Sequence, residues 1–478
     1  MKTLIWIRGK DLRLHDHEAL SSAAPGDIAV FVVDPFFFDP AKARELPHRM
    51  QFMLDSLHAL TEAFRVEGGT LWAVHGRSTD VIPELAKSCG VDRVIASRWT
   101  EPFGRRRDDI VRDRLDVPLV LVGGETLHPP GTMRTGAGKP YSVFSPFARS
   151  LRQTLAIEPS LPPPNALPSG TIPEHLVGHI PTLEELGLCR NPCLLSGGEQ
   201  AARLRLQTFV GHAGSNYSDH RNRMDLDGTS RLSADIKFGL LTPRTVWNAV
   251  EQSAWPEDDK HAYLNELIWR EFNYSTLWDN PSILKQPFKP KWAEFPWRND
   301  VPQWEAWVTG KTGYPIVDAA ARQLLATGFV HNRARMIAAS FLTKHLQISY
   351  QWGEAHYMKW LTDGDWAQNN MGWQWAAGSG ADAQPWFRIF NPILQGRKFD
   401  PDGSYVRKWI PELASVETKF IHSPWESPPL ALEWAGVRLG ETYPSPIVDH
   451  ATARNDFLAK AKAFMNNPDG QTDQAVAK

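Results

Sequence analysis

The sequence predicts two domains of different class: an α/β domain with a doubly wound parallel sheet, then an all-α domain. Three observations predict it. Short apolar, β-branched-rich runs alternate with helical patterns over residues 1–128, as expected of strands buried on both faces. From residue 196 onward the apolar spacing is helical, with no strand-like alternation of comparable length. At 478 residues the chain exceeds one typical core, and a proline-rich stretch separates the two patterns.

In order, strands are predicted at Thr3–Ile7, Ile28–Val33, Thr70–Val74, Arg93–Ser97 and Leu119–Val122, with helices such as His48–Phe64 and Asp80–Cys89 between them. No GxGxxG follows the first strand, so a dinucleotide site of the common Rossmann kind is not expected there. The run Arg105–Arg107, flanked by Glu101, Asp108, Asp109 and Asp113, reads as a salt-bridged exposed helix. Residues 129–195 form the interdomain linker. Within it, residues 159–192 hold eight prolines and little periodicity, with a short helix expected at Thr182–Leu188. The helical domain spans 196–464. Its helices are expected at Gly197–Val210, Pro243–Ser253 (capped by Thr242), His261–Phe272, Pro315–Thr327, Arg333–Gln347 and Trp352–Thr362. Residues 465–478 form a polar tail expected to be disordered.

Composition narrows the function classes. No run of about 18 apolar residues exists, so no membrane span is expected. The N-terminus becomes charged too soon for a signal peptide, which leaves the cytoplasm as the expected compartment. Cys89, Cys189 and Cys193 match no zinc or thioredoxin spacing. A net charge of −2 argues against a coat of basic residues, though not against a local basic face. The 20 tryptophans suit stacking on planar ligands or bases.

The stretch from Asp363 to Pro392 mixes four tryptophans with Asp363, Asp365, Asn369 and Asn370. Unpaired buried polar groups are costly, so this mixture suits a flat aromatic ligand walled by rings and oriented by a few polar groups. A Trp-rich core with capping Asp and Asn explains the same residues when the stretch is taken alone. Gly228-Thr229-Ser230-Arg231-Leu232-Ser233 offers hydroxyls and N–H groups that can cradle phosphates or simply cap a helix. Glu266, Trp269 and Arg270 lie within one helical turn, which also fits an amphipathic helix with an exposed ion pair. His331 to Met336 opens another helix with donors at its N-terminal end.

Together DLRLHD, TSRLS, LNELIWREF, GKTGYPIVDAAARQL, GFVHNRARM, DGDWAQNN and GWQWAAGSGADAQPWFRIFNP resemble the DNA photolyase and cryptochrome family, over nearly the whole chain. The resemblance is greatest to class I photolyases that repair cyclobutane pyrimidine dimers. It implies FAD in the helical domain and light-driven electron transfer to a dimer flipped out of UV-damaged DNA. It also implies a monomer acting without a membrane. Tyr217 and Thr229, Ser230, Arg231, Leu232 and Ser233 would hold the flavin's phosphates and ribose. Arg335, Asp363, Gly364 and Asp365 would flank its ring system, with Asn369 at N5. Glu266, Trp269, Asn332, Met336 and Trp375 would form the lesion site, with Glu266, Asn369, Trp269 and Trp375 closest to the chemistry. Arg221, Arg270, Arg333 and Arg388 would face the DNA. A cryptochrome photoreceptor and a (6-4) photolyase are the alternatives.

Two departures from the family pattern stand out. Tyr350 occupies the middle position of an electron-transfer chain whose other members would be Trp297 and Trp373. The path is expected to pass slowly through Tyr350 or to detour, through Trp360 by preference. Gly104 stands where folate-binding relatives carry a glutamate, so a second, antenna chromophore is expected to be a deazaflavin or flavin rather than a folate.

Overall fold

The computed structural model describes residues 1–466, so the part of the predicted tail beyond Asn466 lies outside the described residues. Five strands, β1 (Thr3–Ile7), β2 (Ile28–Val33), β3 (Leu71–His75), β4 (Arg93–Arg98) and β5 (Leu119–Gly124), form one parallel sheet in the order β3-β2-β1-β4-β5. Leu4 lies opposite both Ile28 and Val94. Side chains alternate across the sheet. Ile5 and Ile7 join a core that also holds Met50 and Phe52 of helix α1 (Pro47–Val66). Leu4 and Trp6 face the opposite core, with Val81 and Leu85 of α2 (Ser78–Ser88) and Val111 of α3 (Pro102–Arg114).

Helix α3 departs from expectation, because two arginines of its run turn inward. Arg105 lies 3.8 Å over Trp278, and Arg107 lies 4.5 Å over Trp99 and 4.8 Å over Trp6. The linker also differs. Thr182–Leu188 makes only turns, whereas α4 (Phe144–Thr154) is a helix missed by the sequence reading. Its buried residues Phe144, Phe147, Ala148 and Leu151 follow helical spacing.

The helical part contains α5 (Glu199–Thr208), α6 (Pro243–Glu251), α7 (Glu257–Asp279), α8 (Val301–Val308), α9 (Pro315–Thr327), α10 (Asn332–Ser340), α11 (Tyr350–Trp360) and α12 (Trp366–Ala377). Helix α7 starts earlier than expected because Glu257, Asp258 and Asp259 favour a first turn. The helix expected over Arg333–Gln347 is instead α10 followed by a π-helical turn, Phe341–His345.

The two parts meet in a close seam. Leu12 N–H donates to Phe238 O at 3.3 Å, and Arg13 Nη1 donates to Gly239 O at 2.9 Å. Gly239 has φ +62, and a Cβ there would fall 1.9 Å from Lys10 O, so only glycine allows this approach.

Candidate active site

Helix α12 organises the site. Asp365 caps it, accepting from Ala367 N at 3.0 Å and Gln368 N at 3.1 Å. Its other oxygen accepts from Tyr274 Oη of α7 at 2.6 Å. Spacing then places Asp365, Asn369 and Trp373 along one helix face. Asn369 Nδ2 donates to Glu354 O, and Asn370 Nδ2 to Glu354 Oε1, both at 3.0 Å, which ties α12 to α11.

Arg335 of α10 pairs with Asp363 at 2.8 Å. Phe329 lies under both Arg231, at 4.9 Å, and Arg335, at 5.8 Å, so the 228–233 loop converges on α10. Tyr263 Oη donates to Ser230 Oγ at 3.0 Å, and Tyr217 meets the Tyr263 ring edge-on at 5.1 Å. Arg49 Nη1 donates to Gly364 O at 3.2 Å. Thr229 is half-buried, Leu232 buried and Ser233 exposed. Arg231 Nε and Asp363 Oδ1 are buried without partners, a costly state that suits a polar cofactor bound against them. The donor and acceptor set fits FAD.

The outer face of α7 carries Glu266, which ion-pairs with Arg221. Trp269, one turn on, stacks flat on Phe144 of α4, with centroids 3.6 Å apart and planes 2° apart. Arg333 Nη2 donates to the neighbouring Asn222 Oδ1 at 2.6 Å, so residues 221 and 222 stand between α7 and α10. Asn332 is exposed, 3.8 Å from Met336 Sδ. Met336 and Trp375 are half-buried, and Arg388 is exposed. Arg270 does not join this face. Its guanidinium turns inward to Glu125 O and lies 4.6 Å over the Tyr274 ring, because position 270 sits roughly 100° around the helix from 269.

Sequence reasoning missed the buried charges beneath Asp365. Lys10 ion-pairs with Glu101 and Glu125 and lies 3.7 Å from Asp365. Burial opposes its charge, but the three carboxylates outweigh burial and push its pKa above the ordinary value. Burial likewise opposes ionised Asp365, yet Lys10, Lys237 and Arg270 hold it at about 2. Burial and the nearby Lys10 lower Lys237 to about 8. The ammonium of Lys10 stands where a cation would otherwise be needed among these carboxylates.

Of the expected electron-transfer residues, Trp373 is buried on α12, whereas Trp297 packs on Phe295 at 4.6 Å. Tyr350 is buried with its hydroxyl unpartnered; burial, then Glu354, raises its pKa. The detour through Trp360 is not favoured by the geometry. Its ring meets His48 at 5.5 Å and no other ring among the described residues.

A family model described as the FAD binding domain of DNA photolyase matches residues 263–463, and one described as DNA photolyase matches residues 3–168. The deoxyribodipyrimidine photo-lyase of Thermus thermophilus is 42% identical over 418 residues, 87% of this chain and 94% of that protein. The crystal structure of a bacterial class III photolyase from Agrobacterium tumefaciens superposes with a TM-score of 0.90 at 36% identity, covering 97% of this chain and 98% of that one. An archaeal photolyase from Sulfolobus tokodaii, described with two FAD molecules, superposes with a TM-score of 0.82 at 26% identity, covering 97% of this chain and all (100%) of that one. With both family models and a relative of this identity and coverage, the chain belongs to the DNA photolyase family.

Proposed function

We propose that this chain repairs cyclobutane pyrimidine dimers in DNA with light, as a monomer holding FAD noncovalently in its helical part. The carrying observation is the α7 face, where Glu266, fixed by Arg221, stands one turn from Trp269, and where Arg333 of α10 bonds Asn222 next to Arg221. When bound, reduced and excited, FAD supplies one electron that opens the cyclobutane ring and recovers it afterwards. The chain's own part is positioning, exclusion of water and stabilisation of transient charge. Tyr217 and residues 229–233 would hold the phosphates and ribose, Arg335, Asp363, Gly364 and Asp365 the ring edges, and Asn369 the N5 position. Trp269 and Trp375 would wall the flipped dimer while Glu266 and Asn332 bond its edges. Arg221, Arg333 and Arg388 would meet phosphates, so binding should weaken with salt. His331 is a buried helix cap whose pKa falls to about 4, chiefly through burial, which gives no support to a histidine acid of the (6-4) kind.

The test is illumination of the purified, reduced protein with a dimer-containing oligonucleotide. Dimer loss in light but not in darkness is expected, and Glu266→Ala should lower repair per photon more than binding. A protein that neither carries nor takes up FAD would sink the reading.

A second chromophore is supported by a cavity of about 510 Å³ between the α/β part and Lys237, Phe238 and Trp366 of the helical part, lined also by Trp6, Arg8, Phe36, Trp99, Phe103 and Arg107. Arg8 Nε and Nη2, Trp99 Nε1 and Glu101 Oε2 are buried there without partners. We infer a planar, carbonyl-rich ligand such as a deazaflavin or flavin. A Cβ on Gly104 would meet Trp99 at 2.8 Å, so a glutamate cannot stand in its place to hold a folate unless Trp99 moves.

A further inference from the structure

The loop that follows α12, residues 378–388, runs from the helix that carries Trp375 to the helix that carries the ring behind Trp269. At its start, Gly378 N–H donates to the carbonyls of Gln374 and Trp375 at 3.0 and 3.2 Å. Lys289 holds that end, its Nζ donating to Gly378 O at 3.2 Å. Buried Lys344 holds the other end, its Nζ donating to Arg388 O at 2.7 Å. Between them Asp382 has φ +44, a left-handed backbone that glycine, asparagine and aspartate adopt more readily than other residues. Its N–H donates to Ser142 O at 3.1 Å, and its Oδ2 accepts from Phe144 N at 3.0 Å. Phe144 is the first residue of α4, whose own cap position is Val143, a side chain with no acceptor. A residue 238 positions away therefore supplies the cap that the local sequence lacks. The ring of Phe144 is the one stacked flat on Trp269.

We propose that Asp382 is a positioning residue for lesion discrimination: it braces the loop after Trp375 against α4 and so fixes the gap between Trp375 and Trp269. This rests on the lesion pocket proposed above. At the other end of α12 the two helices are tied directly. Asn273 Nδ2 donates to Gln368 Oε1 at 2.7 Å, and Gln368 Nε2 donates to Arg270 O at 3.2 Å. Gln368 lies in the first turn of α12 and Trp375 in the last. Without the brace the gap would open at the Trp375 end, hinged at Gln368. Two bases locked by a cyclobutane ring form a rigid block, and shape selects such a block only between walls that hold their distance. Charge argues for the same role. A carboxylate on a loop that also exposes Arg388 repels phosphates, so it weakens DNA binding unless it serves another end. Here it is directed to Phe144 N–H, and its charge opposes the burial that lowers the Lys289 pKa. A left-handed residue that the surrounding structure holds in place is characteristic of a working part of a fold.

The test measures binding of the flavin-loaded protein to a dimer-containing duplex and to the same duplex undamaged. Asp382→Gly keeps the turn and removes only the carboxyl. It should weaken binding to the dimer duplex about five- to tenfold while changing binding to the undamaged one less than about twofold. Asp382→Asn keeps an acceptor for Phe144 N–H and tolerates the same backbone, so its preference for the dimer should match the parent's. A third protein separates positioning from folding: Val143→Ser, added to Asp382→Gly, gives α4 a cap of its own without joining it to the loop. Thermal stability should recover in that double variant, and the preference for the dimer should not. Recovery of both would reduce Asp382 to a helix cap and overturn the proposal. So would equal weakening on the two duplexes, an unchanged preference in Asp382→Gly, or a loss in Asp382→Asn as large as in Asp382→Gly. Should Asp382→Gly alone not fold, the double variant decides. A parent protein with no preference for the dimer would overturn the lesion pocket and the brace together; a parent with that preference leaves the brace as the only question.

Discussion

Glu354 lies behind the Asn369–Asn370 pair, accepting from Asn370 Nδ2 at 3.0 Å. Burial pushes its pKa from 4.5 to about 7, with Asn370 only partly opposing. The folded state therefore binds more protons than the unfolded state between those values. The contribution is fully present below about pH 4.5 and is lost as pH rises through about 7, a change of roughly 3 kcal/mol. Glu354→Gln should remove that part of the pH dependence in denaturant unfolding between pH 4.5 and 7.5. The slope should not vanish, because buried Glu271 is also raised to about 7. An unchanged slope would show that the Glu354 carboxyl is solvated. Arg270 marks the limit of sequence at this scale. Spacing put Glu266, Trp269 and Arg270 within one turn, but only the packing of α7 decides that 269 faces outward and 270 inward.

At the scale of elements, α7 serves two sides at once, presenting Glu266 and Trp269 outward while Arg270 and Tyr274 reach the buried charges. Its partner α4 holds Trp269 by one flat stack with Phe144. Phe144→Leu keeps the apolar volume but removes an aromatic pair worth roughly 0.5–1.5 kcal/mol. Binding to dimer-containing DNA should weaken about two- to tenfold, while binding to undamaged DNA stays the same. Fluorescence anisotropy on the two oligonucleotides checks this, and equal weakening of both would show that the stack only supports the fold. The helical spacing at Phe144, Phe147, Ala148 and Leu151 was legible. The prolines around it mask that spacing, because they give the stretch the look of a structureless linker.

Across the whole molecule, the strands were legible to within two residues because β1 and β2 are buried on both faces and appear as unbroken apolar runs. The charge cluster was not, since residues 10, 101, 125, 237 and 365 meet only through tertiary packing. Lys10→Met would leave Glu101, Glu125 and Asp365 buried together without their shared cation, and should cost about 3–5 kcal/mol in denaturant unfolding. A loss below 1 kcal/mol would mean that water or Lys237 already balances those carboxylates. The seam at Gly239 and Lys10 has a further consequence for descent. Asp365 caps the helix that carries Asn369 and Trp373, and its charge is balanced from the loop after β1. A lineage could replace the residues that line the α/β cavity one substitution at a time. It could not delete the sheet, because the helical half would lose the counter-charge that Lys10 brings to the Asp365 cap.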